Sequence, residues 1–274
     1  MKYKLVMLDV DGTILSDTPE VSEGVKSAIR RAQDLGVTVS LCTGRLATTC
    51  QDIVEELQLD SYSVYYSGTL LKNLITGKTL KKHALDPDVA EEIVRFARTH
   101  RIYVEVHTEQ AFLYELQDSY SDFQRDTLEI NPICTDMLEV VKTHEVLKLQ
   151  FVTESPEELE KINSFKHNNG HIALSSGKAV GYPSMTFTNV IPAGISKGTG
   201  IQEIADFMGI GSEHVIAIGD SMGDISAIKM AGLGVAMGNS EEKVKRHADY
   251  IAASVWEDGV AEVLEKFILN NSSS

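Results

Sequence analysis

The stretch VMLDVDGTIL, residues 6 to 15, sets two aspartates, Asp9 and Asp11, at the end of an apolar run and beside a Gly-Thr turn. If the strand runs on through them, both side chains point the same way. One buried carboxylate is costly, and a like charge beside it raises the cost. A second acidic cluster ends another apolar run: HVIAI leads into Gly219-Asp220-Ser221-Met222-Gly223-Asp224. Four carboxylates gathered at one place repel each other unless a cation sits among them. With neither His nor Cys close by in sequence, oxygen ligands alone select a hard ion such as Mg2+. An ion held by one or two carboxylates keeps positions open for water and phosphate oxygens.

Other parts of an anion site can be found. Thr43-Gly44-Arg45 follows the apolar run VTVSLC and combines a hydroxyl, a flexible turn and a guanidinium. In PAGISKGTGI, Lys197 stands where a helix is expected to begin, beside Gly198 and Gly200. A lysine near exposed helix-start N–H groups is suited to anchor an anion.

These residues meet only if particular elements carry them. Lys4–Leu8, Val37–Cys42 and Ser63–Tyr66 read as strands, separated by helices at Ser22–Leu35 and Thr48–Leu57. Ser22 is a candidate N-cap, and Gly36 follows the end of that helix. The same rhythm returns with strands at His214–Ile218, Leu233–Met237 and Tyr250–Ala252, and helices at Ile225–Ala231, Glu241–His247 and Val255–Leu269. Alternation of this kind implies βαβ units and a mostly parallel sheet. In open α/β sheets, ligands bind beyond the carboxyl ends of the strands. Both acidic clusters are expected there. Between about His83 and Pro183 the pattern changes. Closely spaced strands, among them Tyr103–His107, Ala111–Leu116, Lys148–Thr153 and Ile172–Ser175, suggest an α+β insertion. We place it at 84–183, between core halves 1–83 and 184–274, with Pro87 and GKAVGYP (177–183) marking its edges.

In order, DVDGT, TGR, the lysine of GISKG and GDSMGD resemble the four motifs of the haloacid dehalogenase superfamily of phosphatases. The insertion between the second and third resembles the C2-type cap of the Cof-type subgroup. The resemblance implies a doubly wound, Rossmann-like core with an inserted cap that chooses the leaving group. It implies Asp9 as nucleophile, forming an aspartyl-phosphate, and Asp11 as general acid and base. Mg2+ would be held by Asp9, the backbone carbonyl of Asp11, and Asp220, with Asp224 holding its waters. Thr43 and Lys197 would stabilise the phosphoryl oxygens. Gly12, Gly44, Arg45 and Asn239 (in AMGNS) would complete the phosphate site. Arg45 by itself reads equally as a substrate contact or as half of a structural ion pair. Dehalogenases lack the second acid, and ion-pumping ATPases carry lysine there. Asp11 therefore points to a phosphatase or mutase, and the cap favours a phosphatase.

Two positions depart from the pattern. Relatives often read GDxxND where Gly223 replaces the Asn, and NGA where this chain has Ser67-Gly68-Thr69. Both changes remove amides that could orient a loop or substrate, so the expected activity is slower or differently tuned. A weak relative that grips phosphorylated metabolites without turning them over is the competing reading. A receiver-type phosphoacceptor domain would need a chain near half this length. Asp224 could also serve as an N-cap, and His107 with Glu109 is more simply a surface strand than a metal site. GLGVAM at 232–237 misses the dinucleotide fingerprint, and GISKGTG lacks the residue order of a P-loop.

The bulk composition agrees. The formal net charge of −15 disfavours nucleic acid and anionic membranes as partners. No apolar run approaches the roughly 20 residues of a membrane span. Cys42, Cys50 and Cys134 show no CxxC spacing and cannot all pair, which fits a reducing cytoplasm. The expected partner is a small phosphorylated metabolite, and the expected state a monomer or weak homodimer.

Overall fold

A computed structural model describes residues 2–18, 20–115, 133–179 and 182–270. Leu116, at the end of one expected strand, and most of the NNSSS tail lie outside them. In chain order the elements are β1 (Leu5–Leu8), α1 (Glu23–Asp34), β2 (Thr38–Leu41), α2 (Gln51–Glu56), β3 (Ser63–Tyr65), β4 (Leu70–Lys72) and β5 (Thr79–Lys82). There follow α3 (Pro87–His100), β6 (Tyr103–His107), β7 (Phe112–Tyr114), β8 (Ile133–Cys134), α4 (Met137–Thr143), β9 (Lys148–Thr153), α5 (Pro156–Asn168), β10 (Ile172–Ala179) and β11 (Tyr182–Pro192). The chain closes with α6 (Lys197–Met208), β12 (Val215–Gly219), α7 (Ile225–Met230), β13 (Leu233–Ala236), α8 (Glu242–Lys245), β14 (Tyr250–Ile251) and α9 (Gly259–Leu264). Two compact units result, residues 1–81 with 196–274, and residues 82–195. Among the described residues, no helix is long and apolar enough to cross a membrane.

The first unit is built on a five-stranded sheet of order β14-β13-β12-β1-β2, all pairs parallel. β1 lies between β12 and β2 and is buried along its whole length, which is why LVML reads as an unbroken apolar run rather than an alternating one. From β1 the chain builds one way to β2, and the later strands build the other way from β12. The crevice beside the end of β1 is thus where the strand order reverses, the expected place for a ligand. The Ser22 hydroxyl caps α1 by accepting the Val25 N–H at 3.1 Å, and Val25, Ala28, Ile29 and Ala32 form its buried face. Helix α6 packs Ile201, Ile204 and Ala205 against Leu5, Met7, Val64 and Val215.

β3 continues beside β2 through a single parallel bridge, Cys42 to Val64, and forms a three-stranded sheet with β4 and β5. The last two strands escape sequence reading. β4 has only three residues, and TLKK of β5 is mostly exposed, so neither shows an apolar period.

The second unit carries a six-stranded sheet of order β10-β11-β9-β6-β7-β8. Its pairs are antiparallel except β7 with β8. α3, α4 and α5 cover one face, burying Ile93, Val94, Val141 and Ile162 against Val104, Val106, Leu149 and Phe151. The expected boundary at 184 is corrected. GKAVGYP is not an edge of the insertion: residues 177–179 end β10, Tyr182 and Pro183 begin β11, and β11 runs on to Pro192, pairing with β9 from Thr186 to Val190. The insertion ends at Ile195.

The other face of this sheet carries buried charge. Glu105 accepts a hydrogen bond from Gln150 Nε2 at 3.2 Å and meets His107 Nε2 at 3.3 Å. Lys148 Nζ donates to Gln150 Oε1 at 3.2 Å. Burial, and then the charge of Lys148, hold His107 well below its ordinary value of 6.5. The unfolded chain therefore binds a proton that the folded one refuses, and stability falls as pH drops through about 6.5. Lys148, pushed down to about 8 by burial against the opposing pull of Glu105, adds the same sign on the alkaline side. Thermal melts at about pH 7.5 and about pH 5.5 should show a smaller acid-induced loss for His107→Gln than for the wild type. Equal losses in the two proteins would assign the acid sensitivity to other groups.

Candidate active site

Leu8 is the last residue of β1, and the Asp9 N–H makes one further rung, donating to Ile218 O at 2.9 Å. The chain then turns tightly. Gly12 N–H donates to Leu15 O at 2.8 Å, and the Ile14 and Leu15 N–H groups donate to Val10 O, each at 3.0 Å. This loop corrects the expectation that Asp9 and Asp11 share a face, because strand alternation stops before Asp11. Asp9 is buried, whereas the Asp11 side chain is 60 % exposed and turns to Arg45. Gly12 sits at φ +74°, and a Cβ there would overlap the Asp220 carboxylate. Only glycine satisfies both demands.

Lys197, the first residue of α6, brings the acids together. Its Nζ donates to Asp9 Oδ1 at 2.7 Å and to Asp224 Oδ1 at 2.5 Å, and all three residues are buried. A cation at a helix N-terminus opposes the helix dipole, so the two carboxylates, not the helix, hold Lys197 charged. Burial lowers the affinity of Lys197 for its proton, but Asp224 and Asp9 outweigh it and raise its pKa well above the usual value. The helix start itself is secured by a capping box between Ser196 and Thr199.

The Asp224 side chain makes no cap hydrogen bond to α7, the helix that follows. Its Oδ2 accepts the N–H of Asp220 at 3.2 Å, the N–H of Ser221 at 2.9 Å and the Ser221 hydroxyl at 2.7 Å. The carboxylate thus closes the turn behind it rather than the helix ahead. Ser221, three residues before an acid, carries the sequence pattern of a capping box, and the motif reading assigns it no part. Asp220 is half-buried and receives a long hydrogen bond from Thr13 Oγ1 at 3.4 Å. The loop forms without the amide that relatives place at position 223. A Cβ there would meet Ser221 Oγ at 3.5 Å, an ordinary contact.

Carboxylate oxygens of Asp9, Asp220 and Asp224 lie within 4.8 Å of one another, and no other such group occurs among the described residues. His107 and Glu109 do not form a metal site: His107 meets Glu105, and Glu109 meets Lys82 at 3.5 Å. Three carboxylates against one ammonium leave the cluster short of positive charge. Burial, then Asp224, pushes Asp9 well up, and the same causes raise Asp220 to about 7. An oxygen-only donor set with a charge deficit fits a hard divalent cation. The Asp11 carboxylate stands outside this group.

At the end of β2, Thr43 is buried and its Oγ1 accepts the Arg45 N–H at 3.1 Å, which leaves the hydroxyl proton to donate. Gly44 lies half-buried between them. The Tyr66 N–H donates to Arg45 O at 3.1 Å, and the Ser67 N–H to Thr43 O at 3.0 Å. Tyr66 and Ser67 both have positive φ, 50° and 60°. Nothing in the side chains announces that turn. Arg45 forks onto Asp11, with Nε donating to Oδ2 at 2.9 Å and Nη2 to Oδ1 at 2.6 Å. Asn239, expected at the phosphate, acts as a strut: Nδ2 donates to Gly12 O at 2.8 Å, and Oδ1 accepts the Val255 N–H at 3.0 Å. Cys42 and Cys50 are buried, and burial pushes both thiols up, Cys50 to about 12. Neither is an activated nucleophile.

Removing one partner of a buried charge cluster costs about 3 to 5 kcal/mol. Lys197→Met should lose stability on that order in urea titrations without divalent metal. A loss below about 1 kcal/mol would mean that the carboxylates do not depend on the ammonium.

Residues 6–264 match the family model of the haloacid dehalogenase-like hydrolases. Over 272 residues the chain is 30 % identical to 5-amino-6-(5-phospho-D-ribitylamino)uracil phosphatase YcsE of Bacillus subtilis (strain 168), covering 97 % of this chain and 96 % of that one. It is 28 % identical to the putative phosphatase YxeH of the same organism, covering 97 % and 99 %. Among solved structures, a haloacid dehalogenase-like hydrolase from Bacteroides thetaiotaomicron superposes with a TM-score of 0.85 at 28 % identity, covering 97 % and 100 %.

Proposed function

This chain belongs to the haloacid dehalogenase-like hydrolases and is a phosphatase, and we propose that it hydrolyses a small phosphorylated metabolite through an aspartyl-phosphate on Asp9. The observation that carries this reading is the buried contact of Lys197 with Asp9 and Asp224, beside Asp220, at the carboxyl end of β1. An Asp9 oxygen attacks phosphorus, the bond to the leaving oxygen breaks, and Asp11 supplies the proton that the leaving alkoxide takes up. A water then attacks the same phosphorus, the bond to Asp9 breaks, and Asp11 receives the proton. Lys197 fixes the Asp9 side chain by holding Oδ1 and offsets part of the charge of the carboxylates. Thr43 donates its hydroxyl to a phosphoryl oxygen. Mg2+, held by Asp9 and Asp220 with Asp224 behind them, would neutralise the remaining carboxylate charge and that of the phosphoryl group.

The substrate class follows the relatives. One is named for a phosphate ester on a ribityl chain, which supports a sugar phosphate or a phosphorylated cofactor as the ester cleaved here. The reading of a weak binding protein has only Gly223 and Ser67 behind it, and the loops at both positions form closed hydrogen-bonded turns without the missing amides.

Phosphate release from p-nitrophenyl phosphate should require Mg2+ and should vanish, by about 1000-fold or more, in Asp9→Asn, which removes the nucleophile. A wild-type protein that binds Mg2+ and phosphate without turnover would replace the enzyme with a binding protein.

A further inference from the structure

Both oxygens of the Asp11 carboxylate are engaged by the Arg45 fork. In that arrangement each oxygen has one lone pair committed and the carboxylate is held facing the guanidinium, although Asp11 is the residue proposed to serve the leaving group. The backbone of Arg45 cannot move aside easily. Its N–H is held by Thr43 Oγ1, and its carbonyl by the N–H of Tyr66, in a turn where two consecutive non-glycine residues have positive φ. Backbone of that kind persists only where the surroundings over-determine it. The side chain is the adjustable part. The pair is partly open to solvent, with Arg45 29 % and Asp11 60 % exposed, and contacts of this kind are worth only about 0 to 1 kcal/mol. Arg45 also belongs to the turn of Thr43, the proposed phosphoryl donor, whose Oγ1 accepts the Arg45 N–H at 3.1 Å. A phosphate ester offers the same forked set of oxygens as a carboxylate and more charge.

We propose that Arg45 is an exchangeable clamp, holding Asp11 in the free protein and passing its two N–H groups to phosphoryl oxygens when a phosphate monoester arrives, which releases Asp11 for the leaving oxygen. The clamp rests on the phosphatase reading and adds to it a coupling: the acid is freed only when phosphate occupies the site. Competition between the carboxylate and phosphate for one guanidinium is its measurable consequence.

The test is a double-mutant cycle read by calorimetric titration of inorganic phosphate into the Mg2+-loaded protein. Asp11→Asn should tighten phosphate binding by roughly tenfold, the worth of one charge-assisted hydrogen bond. In the Arg45→Met background that gain should disappear. An equal gain in both backgrounds would reflect only the loss of a negative charge and would overturn the clamp. Kinetics give an independent readout. A clamp predicts that Arg45→Met raises KM alike for p-nitrophenyl phosphate and for an alkyl phosphate. A fixed positioning pair predicts instead that kcat falls selectively for the alkyl ester, whose poor leaving group needs the acid, and that result would overturn the proposal. Arg45→Lys keeps the charge without the fork and carries the same comparisons if Arg45→Met does not fold. Wild-type turnover of the aryl ester separates the two levels. If it is present and the cycle is flat, the clamp alone fails; if it is absent, the phosphatase reading fails and the clamp with it.

Discussion

The Lys197 ammonium lies between two buried carboxylates, and through it three distant segments of the chain meet: the end of β1, the start of α6 and the turn after β12. Each partner alone would be costly to bury, and each is tolerated because the others are present. The dependence reaches outward. Asp224 can present Oδ1 to Lys197 because its Oδ2 is fixed by two N–H groups and a hydroxyl of its own turn. That turn sets the place of Asp220, and Asp220 excludes any side chain at Gly12. A lone charge pair would give stability at best weakly. This one is part of a network in which every member determines the position of another.

The two aspartates of the first motif stand in different surroundings. A tight loop after Leu8 leaves Asp9 among the carboxylates and turns Asp11 toward solvent and Arg45. The two carboxylates can therefore respond to different things, Asp9 to the buried charge cluster and Asp11 to whatever competes for a guanidinium. Placing them two residues apart on a strand end makes that possible, because the strand fixes one residue and the loop redirects the other.

Gly223 and Ser67 lie in turns that close without a side-chain amide at either position. The turn at 220–224 is closed by Asp224 and Ser221, and the turn at 66–67 by backbone bonds to Thr43 and Arg45. Ser67 adopts its positive φ without the asparagine or glycine that tolerates it best. The strain is held by surrounding hydrogen bonds rather than by residue type.

Much of this was legible in the chain itself. Buried strands such as LVML and VIAIG are continuous apolar runs, so the parallel core could be read from them, and Asp9, Asp220, Asp224, Thr43 and Lys197 stand out as candidates because acids, a hydroxyl and a lysine sit just past apolar runs. A resemblance between motifs supplied the roles proposed for them. What sequence could not supply is whatever depends on where a strand stops. Period-two alternation predicted that Asp11 would share a face with Asp9, but the last rung is at Asp9, and beyond it the loop decides. The same limit hid β4 and β5, too short or too exposed to show a period, and it placed a boundary at GKAVGYP because glycine and proline can stand within paired strands as well as at a domain edge. The partner of Arg45, the strut role of Asn239 and the positive φ of Tyr66 and Ser67 were decided only in three dimensions. Each results from contacts between segments far apart in the chain, and local residue preferences carry no record of those contacts.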